Sequence, residues 1–481
     1  MTAFAHPRAE GEGGSVSLGW TFFEEEESPR AVSAACAAAP DMGVYRVFVS
    51  QKGASSLFGQ RRNAIALSNV PEETSFLTCL TEFIPSMSTT VLRDTRLFAA
   101  APGAETLKIE FEPASARRVF VAGDSTVADQ SASSPYYPFD SYCGWGQMLS
   151  AFLKDDAVCN QAHSGLTARC FCEDGHLEIV KKHLRPGDLL LIQFGHNDQK
   201  RRALQPQTGY PAYLRKIAEE TRALGALPVL VSPISRVPGR DAGGAFSALS
   251  GHAECAKALV KEMRLPFIDL HEFSFELFSS LGEDCRRYFK PGDSTHTNDY
   301  GAYLLAETVA KRLKELGLAS PDIPLDRFCD ASDRALSPCK AAPKPLPVPY
   351  ADIEGVSDPK VIYDGVQRGL FDPCVRFAHP GDPLPRAQFI QLLFRAAKLS
   401  GSPTDGQKPF PDVDAREFDA PYAMACRERG LVTEGFYRPD DFVTNREARS
   451  LCARAGFPAD FPEDDERPTR FEIVRALLGA Q

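Results

Sequence analysis

The sequence predicts an α/β protein: a three-layer domain built on a parallel sheet, preceded by a β-sandwich and followed by a small α-helical domain. Three observations carry this. Short apolar runs alternate with amphipathic stretches between residues 118 and 316. Upstream, the chain breaks into short alternating runs separated by turn residues. Downstream of a proline-rich stretch at 338–349 it becomes charged and helical in pattern. At 481 residues the chain exceeds one domain, and three fit the usual size range. The expected boundaries are a frayed start (1–16), a β-sandwich (17–115), the α/β domain (116–320), a linker (321–358) and a helical domain (359–481).

Residues 1–16 are polar and glycine-rich, and Glu24 to Glu27 read as a solvated acidic edge. The runs Gly43-Val44-Tyr45-Arg46-Val47-Phe48-Val49 and Glu105-Thr106-Leu107-Lys108-Ile109-Glu110-Phe111 alternate with period two, which predicts strands of the sandwich. This segment is either a carbohydrate-binding module or a packing module that shapes a neighbouring cleft. In the α/β domain, residues 118–122, 157–160, 188–194, 228–233 and 266–270 are continuous aliphatic runs. Such runs suit strands buried on both faces of a parallel sheet. Residues 145–154, 175–184, 210–224, 247–263 and 299–316 carry apolar residues at spacings of three and four, which predicts helices. Strand alternating with helix implies right-handed crossovers and a doubly wound sheet. Ligands of such sheets sit beyond the carboxyl ends of the strands.

Three segments at those strand ends carry chemistry: Gly123-Asp124-Ser125, Gly195-His196-Asn197-Asp198 and Asp293-Ser294-Thr295-His296. Together they supply a serine, an amide, an acid and a histidine, the inventory for acyl transfer to a serine. A serine hydroxyl is a weak nucleophile until a base accepts its proton, and His296 is the candidate base. Asp293 lies three residues earlier, so one loop can present both side chains. Ser125 follows a turn at a strand end and can begin a helix, which would aim its own N–H into the pocket. Asn197 offers an amide N–H and Gly165 an unobstructed backbone N–H for a developing oxyanion. Asp124, Thr126, His196, Lys200 and Arg201 flank these groups and are the candidate substrate contacts. For the basic loop Lys200-Arg201-Arg202 two readings stand: binding of sugar carboxylates, or an ordinary solvated loop.

These residues resemble the SGNH (GDSL-type) hydrolases, and more closely the rhamnogalacturonan acetylesterase group. The matching stretches are Val121 to Asp129, Gly144-Trp145-Gly146-Gln147, Asn160 to Gly165, Gln193 to Asp198 and Asp293 to Ala302, all in order. The resemblance implies a flavodoxin-like three-layer domain over roughly 117–317. It implies Ser125 as nucleophile, Asp293 and His296 as its partners, and Ser125 N–H, Gly165 N–H and Asn197 as the oxyanion hole. It implies removal of acetyl groups from pectic polysaccharides without metal or cofactor. One departure is Ser164-Gly165-Leu166-Thr167, where members often carry Gly-Gly-Arg-Ser. The glycine survives, and the arginine is gone or has moved to Arg169. Alternatives to this function are an esterase or lipase of other glycans or small esters, and a non-catalytic wall- or carbohydrate-binding protein.

The C-terminal segments Phe410-Pro411-Asp412-Val413, Ala420-Pro421-Tyr422-Ala423, Arg429-Gly430-Leu431-Val432 and Phe436 to Asp440 resemble an S-layer homology repeat. Partial copies of its Thr-Arg-Ala-Glu-type segment stand at Pro385-Arg386-Ala387-Gln388, Thr444-Asn445-Arg446-Glu447 and Thr469-Arg470-Phe471-Glu472. The resemblance implies a cell-wall polymer as a second partner. The net charge of −10 argues against nucleic acid as a partner. No apolar run reaches the length of a membrane span, and residues 1–7 show no signal-peptide pattern. The 13 cysteines are odd in number and lack zinc-type spacing. The expected location is the cytoplasm, or the cell surface or extracellular space if a leader is missing.

Overall fold

The computed structural model describes residues 106–129, 142–321, 350–372, 375–433 and 435–480. It also describes residues 20–21, 33–38, 42–52, 60–62, 65–67, 73–82, 84 and 95–100 of the N-terminal part. The expected frayed start, the acidic run at 24–27 and the proline-rich stretch at 338–349 lie outside the described residues.

The centre is an eight-stranded sheet. Its strands in chain order are β3 (Gly43–Lys52), β6 (Glu73–Leu80), β8 (Thr106–Pro113), β9 (Arg117–Gly123), β10 (Asp156–Asn160), β11 (Leu189–Gln193), β12 (Leu227–Val231) and β15 (Phe267–Ile268). Their order across the sheet is β15-β12-β11-β9-β10-β6-β3-β8. From β15 to β6 every pairing is parallel, with Val119 of β9 level with Val158 of β10 and Leu189 of β11. β3 pairs antiparallel with both β6 and β8. A second, antiparallel sheet holds β1 (Trp20–Thr21), β2 (Ser33–Ala38), β7 (Thr95–Ala100), β4 (Gln60–Arg62) and β5 (Ile65–Leu67).

This topology departs from an independent sandwich over 17–115. β3, β6 and β8 extend the α/β sheet, and the sheet runs on across the boundary expected at 115. The physical reason is the edge of β10. Without β6, β10 would present a row of unpaired N–H and C=O groups. Thr78 of β6 stands beside Val158, and its hydroxyl donates to the Val158 carbonyl at 3.5 Å.

Helices cover both faces. They are α1 (Trp145–Met148), α2 (Ala168–Glu173), α3 (His176–His183), α4 (Tyr210–Ala223), α5 (Ser250–Met263), α6 (Leu270–Leu281) and α7 (Asp299–Glu315). Alternate strand residues feed two cores, as the two-residue period of a strand requires. Val119, Val121, Leu189 and Leu191 pack with Trp145 and with Leu305 and Val309 of α7. Phe120, Ala122, Leu190 and Ile192 pack with Leu177, Leu214 and Ile217 of α3 and α4. The helix expected at 145–154 is shorter: α1 passes into a 3₁₀ turn at Leu149–Ala151. A small hairpin, β13 (Gly239–Asp241) with β14 (Gly244–Phe246), follows β12.

Among the described residues the C-terminal part is a five-helix unit: α8 (Pro359–Gln367), α9 (Arg386–Ala396), α10 (Ala420–Glu428), α11 (Asn445–Arg454) and α12 (Arg470–Gly479). It has its own core, with Ile362, Phe389, Leu393, Ala423, Leu451 and Ile473 at its centre. Tyr350 belongs to that core and donates to the Asp372 carbonyl at 2.6 Å. Residues 350–358 are therefore part of the unit and not of a linker, because a buried aromatic anchors them. One turn occurs twice. Asp352 accepts from the N–H groups of Ala378 (2.8 Å) and His379 (2.7 Å). Asp412 accepts from those of Tyr437 (3.0 Å) and Arg438 (2.7 Å). His379 and Arg438 both adopt φ of 52°, a left-handed conformation that the paired carboxylate bonds hold in place.

Candidate active site

Ser125 stands immediately after β9, on a turn that packing dictates. A Cβ on Gly123 would lie 2.6 Å from Cγ2 of Val127 and 2.9 Å from the Gln193 carbonyl, so only glycine fits there. Asp124 then closes the turn. Its carbonyl accepts from the N–H groups of Val127 and Ala128, both at 3.0 Å. Its Oδ1 accepts from the Thr126 N–H (2.9 Å) and hydroxyl (2.7 Å). Ser125 is left partly exposed while both neighbours are buried.

The Ser125 hydroxyl donates to Nε2 of His296 at 2.8 Å. On the other side of the ring, Nδ1–H donates to Oδ2 of Asp293 at 2.8 Å. That bond fixes the proton on Nδ1 and leaves the Nε2 lone pair to face the serine. Asp293 Oδ1 accepts from the N–H groups of Thr295 (2.7 Å) and His296 (3.0 Å). Burial pushes the Asp293 carboxyl up, but the His296 bond and charge and these two N–H donors outweigh it. The group is held well below the usual carboxylate range. The loop itself is pinned by Asn298, whose Oδ1 caps α7 through the Gly301 N–H (2.9 Å). Its Nδ2 donates to the carbonyls of Arg287 (2.9 Å) and Phe289 (3.2 Å). Tyr142 meets the His296 ring edge-on at 5.0 Å between centroids, and Lys290 sits 3.8 Å over the Tyr142 ring.

Gly165 has φ of +82°, the left-handed region that favours glycine. The loops of Gly165 and Asn197 are stitched together. Asn197 Nδ2 donates to the Leu166 carbonyl at 3.0 Å, and Ala168 N–H donates to Asp198 Oδ1 at 2.9 Å. Lys200 Nζ donates to Asn197 Oδ1 at 2.9 Å. Burial pushes the Lys200 ammonium down, to about 8. Burial also pushes the Asp198 carboxyl up, to about 7, and its Oδ2 finds no hydrogen-bond partner among the described residues.

The structure thus brings together Ser125, Asp293 and His296, and joins the Gly165 and Asn197 loops. It corrects the reading of Asp124, Thr126 and His196 as substrate contacts. Their exposures are 0%, 1% and 1%. Asp124 Oδ2 accepts from Nδ1 of His196 at 3.2 Å, behind the nucleophile. Burial disfavours charge on both. The His196 and Thr126 donors hold the Asp124 carboxyl down at about 2, while burial pushes the His196 imidazole down against the pull of Asp124. These side chains lock the Ser125 turn to the Asn197 loop. Arg169 lies on α2 and pairs with Glu173 at 2.6 Å.

Sequence reasoning missed Gln193 and Arg236. Gln193 accepts from the Trp145 indole (2.9 Å) and donates to the Thr126 hydroxyl (2.8 Å), tying α1 to the nucleophile turn. Its signal was a polar residue ending an otherwise aliphatic strand. Arg236 donates to the His196 carbonyl at 3.2 Å and to the Thr295 hydroxyl, and so clamps the Asn197 loop to the His296 loop. One partner is a backbone carbonyl, which no residue type advertises.

Residues 121–304 match the GDSL-like lipase/acylhydrolase family. The chain is 35% identical over 221 residues to the rhamnogalacturonan acetylesterase RhgT of Bacillus subtilis (strain 168), covering 43% of this chain and 93% of that protein. The chain belongs to the GDSL-like lipase/acylhydrolase family. Two further relatives resemble this GDSL-like chain over the same region. A probable rhamnogalacturonan acetylesterase of Bacillus subtilis, YesY, is 33% identical over 213 residues, or 42% of this chain and 95% of that one. A rhamnogalacturonan acetylesterase of Emericella nidulans is 27% identical over 235 residues, or 43% of this chain and 89% of that one. The GDSL-like region is an SGNH hydrolase fold, with the mostly parallel sheet and flanking helices described above.

Proposed function

We propose that this serine ester hydrolase is a carbohydrate O-acetylesterase whose substrate is acetylated pectic polysaccharide of the rhamnogalacturonan type. The chain of hydrogen bonds Ser125–His296–Asp293 at the end of β9 carries the reading. The names of the relatives support the substrate class. His296 Nε2 takes the Ser125 proton as Oγ attacks the acetyl carbonyl. Asp293 stabilises the imidazolium that forms. The N–H groups of Ser125 and Gly165 and the free Nδ2–H of Asn197 receive the oxyanion. His296 returns its proton to the departing sugar oxygen. A water, deprotonated by the same imidazole, then cleaves the acetyl-serine to acetate, and His296 hands that proton to the departing Ser125 Oγ. No step calls for a metal or cofactor.

Acetate release from acetylated rhamnogalacturonan, compared between wild type and Ser125→Ala, tests this. The expected loss is several orders of magnitude. A folded wild type that releases no acetate from this polymer, yet cleaves acetylated xylan or small esters, would retire the pectic reading and keep the esterase.

We infer a second role for the five-helix unit, attachment to a cell-wall polymer in the manner of S-layer homology repeats. The twice-repeated Asp352 and Asp412 turn supports a repeat origin. Co-sedimentation of the full chain with insoluble cell walls tests it. A chain that stays wholly in the supernatant would remove the idea.

A further inference from the structure

We infer that Lys200 is a positioning residue of the oxyanion hole, acting through Oδ1 of Asn197. The inference rests on Asn197 serving that hole. Asn197 leads into a 3₁₀ turn, Asp198–Lys200, closed by the Lys200 N–H donating to the Asn197 carbonyl at 3.1 Å. In a turn of that pitch side chains three residues apart, such as Asn197 and Lys200, lie one over the other. Lys200 Nζ accordingly reaches Asn197 Oδ1 at 2.9 Å.

The bond has two consequences. An asparagine amide has a broad, nearly two-fold terminal torsion, so oxygen and nitrogen can exchange places. An ammonium offers only donors, so it accepts only the orientation with Oδ1 toward it. Nδ2 is then forced toward the Leu166 carbonyl, 3.0 Å away, which uses one of its two hydrogens. The other hydrogen is the one left for the substrate oxyanion. The second consequence is electronic. A cation on Oδ1 draws charge from the amide and strengthens its N–H as a donor, and it sets a positive charge one amide group from the developing oxyanion.

Burial works against the Lys200 charge, as do Arg236 and Arg201, while Asp372 and Asp124 favour it. Asp372 comes from the helical unit. The next turn of the loop is held to the same unit by Arg202, which pairs with Glu417 and, at 3.3 Å, with Asp440. Lys200 is therefore a part of the machinery reaching Asn197 from behind, and not a contact for sugar carboxylates as its residue type suggested.

The test is steady-state kinetics on p-nitrophenyl acetate and on acetylated rhamnogalacturonan. The proteins are wild type, Lys200→Met, Lys200→Arg, Asn197→Ala and the double variant Lys200→Met with Asn197→Ala, each checked for fold by circular dichroism. Removing one oxyanion donor outright costs about 10²–10³ in kcat, so losing its orientation and polarisation should cost roughly 10-fold or more. Lys200→Met is expected to lower kcat on both substrates with KM nearly unchanged. Lys200→Arg should recover part of the loss. The double variant should be no slower than Asn197→Ala alone, because the lysine acts only through that amide. Three results overturn the inference: wild-type kcat in Lys200→Met, losses that multiply in the double variant, or a rise in KM confined to the anionic polymer. Wild-type kcat in Asn197→Ala would retire the oxyanion-hole reading and this inference with it.

Discussion

Ser125, His296 and Asp293 form one relay, but the residues around them do different work from their chemical type. Asp124 and His196 carry groups that suit catalysis, yet both are buried and bonded to each other. The triad was legible because its members stand in two short blocks, one at the end of β9 and one just before α7. The direction in which a side chain points was not, because packing against Gln193, Thr126 and Leu166 decides it. Asn197→Ala should lower turnover about 10²–10³-fold in a folded protein. Near-wild-type turnover would contradict the role. Asp198 makes a pH prediction. Its carboxyl is raised from 3.8 to about 7 by burial. In that window the folded protein binds the extra proton, so this group makes stability fall as pH rises from about 4 to about 7. Asp198→Asn should lose that slope, which denaturant midpoints at pH 5 and pH 8 would reveal. An identical slope in both proteins would show that the charge is not buried as described.

The strands that carry the site were readable as continuous apolar runs, and β9 to β12 fall within a residue or two of expectation. The elements that escaped were those with weak patterns. α2 has six residues, too few for a helical period to stand out. The start of α6 was absorbed into the strand run at 266–270, since Leu270 extends the apolar stretch without a break. The caps position the chemistry. Asn298 is fully buried, begins α7 and holds two carbonyls of the preceding segment. Asn298→Ala should remove a cap, about 1 kcal/mol, and unsatisfy buried backbone as well. We expect a lower Tm together with a kcat loss, because the His296 loop hangs on the same residue. A Tm loss with full kcat would separate the cap from the catalytic loop.

At the scale of the molecule, the helical unit is fastened to the α/β domain by arginines from both sides. Arg202 reaches Glu417 and Asp440, and Arg416 reaches Asp241 at 3.0 Å and stacks over Phe246 at 5.2 Å. Arg376 donates to the Asp174 carbonyl at 2.7 Å. These pairs are partly open to solvent, where such contacts contribute about 0–1 kcal/mol each, so the attachment should weaken with salt. Arg202→Ala combined with Arg416→Ala should leave Tm nearly unchanged but speed proteolytic separation of the helical unit from the α/β domain. Unchanged cleavage would mean that other contacts hold the unit. None of these contacts was legible beforehand, because each joins residues far apart in the chain.

The pairing of β6 with β10 also bears on how such a chain can be divided. A gene fragment begun at residue 116 would encode every group of the relay, yet its protein would end in an open strand. Nothing but solvent would meet β10, and a second copy of the fragment would offer the most available complement. The practical unit of inheritance and of engineering is therefore longer than the catalytic blocks. A cut that respects the sheet must fall before residue 43, and light scattering of fragments begun on either side of that point would locate where self-association sets in.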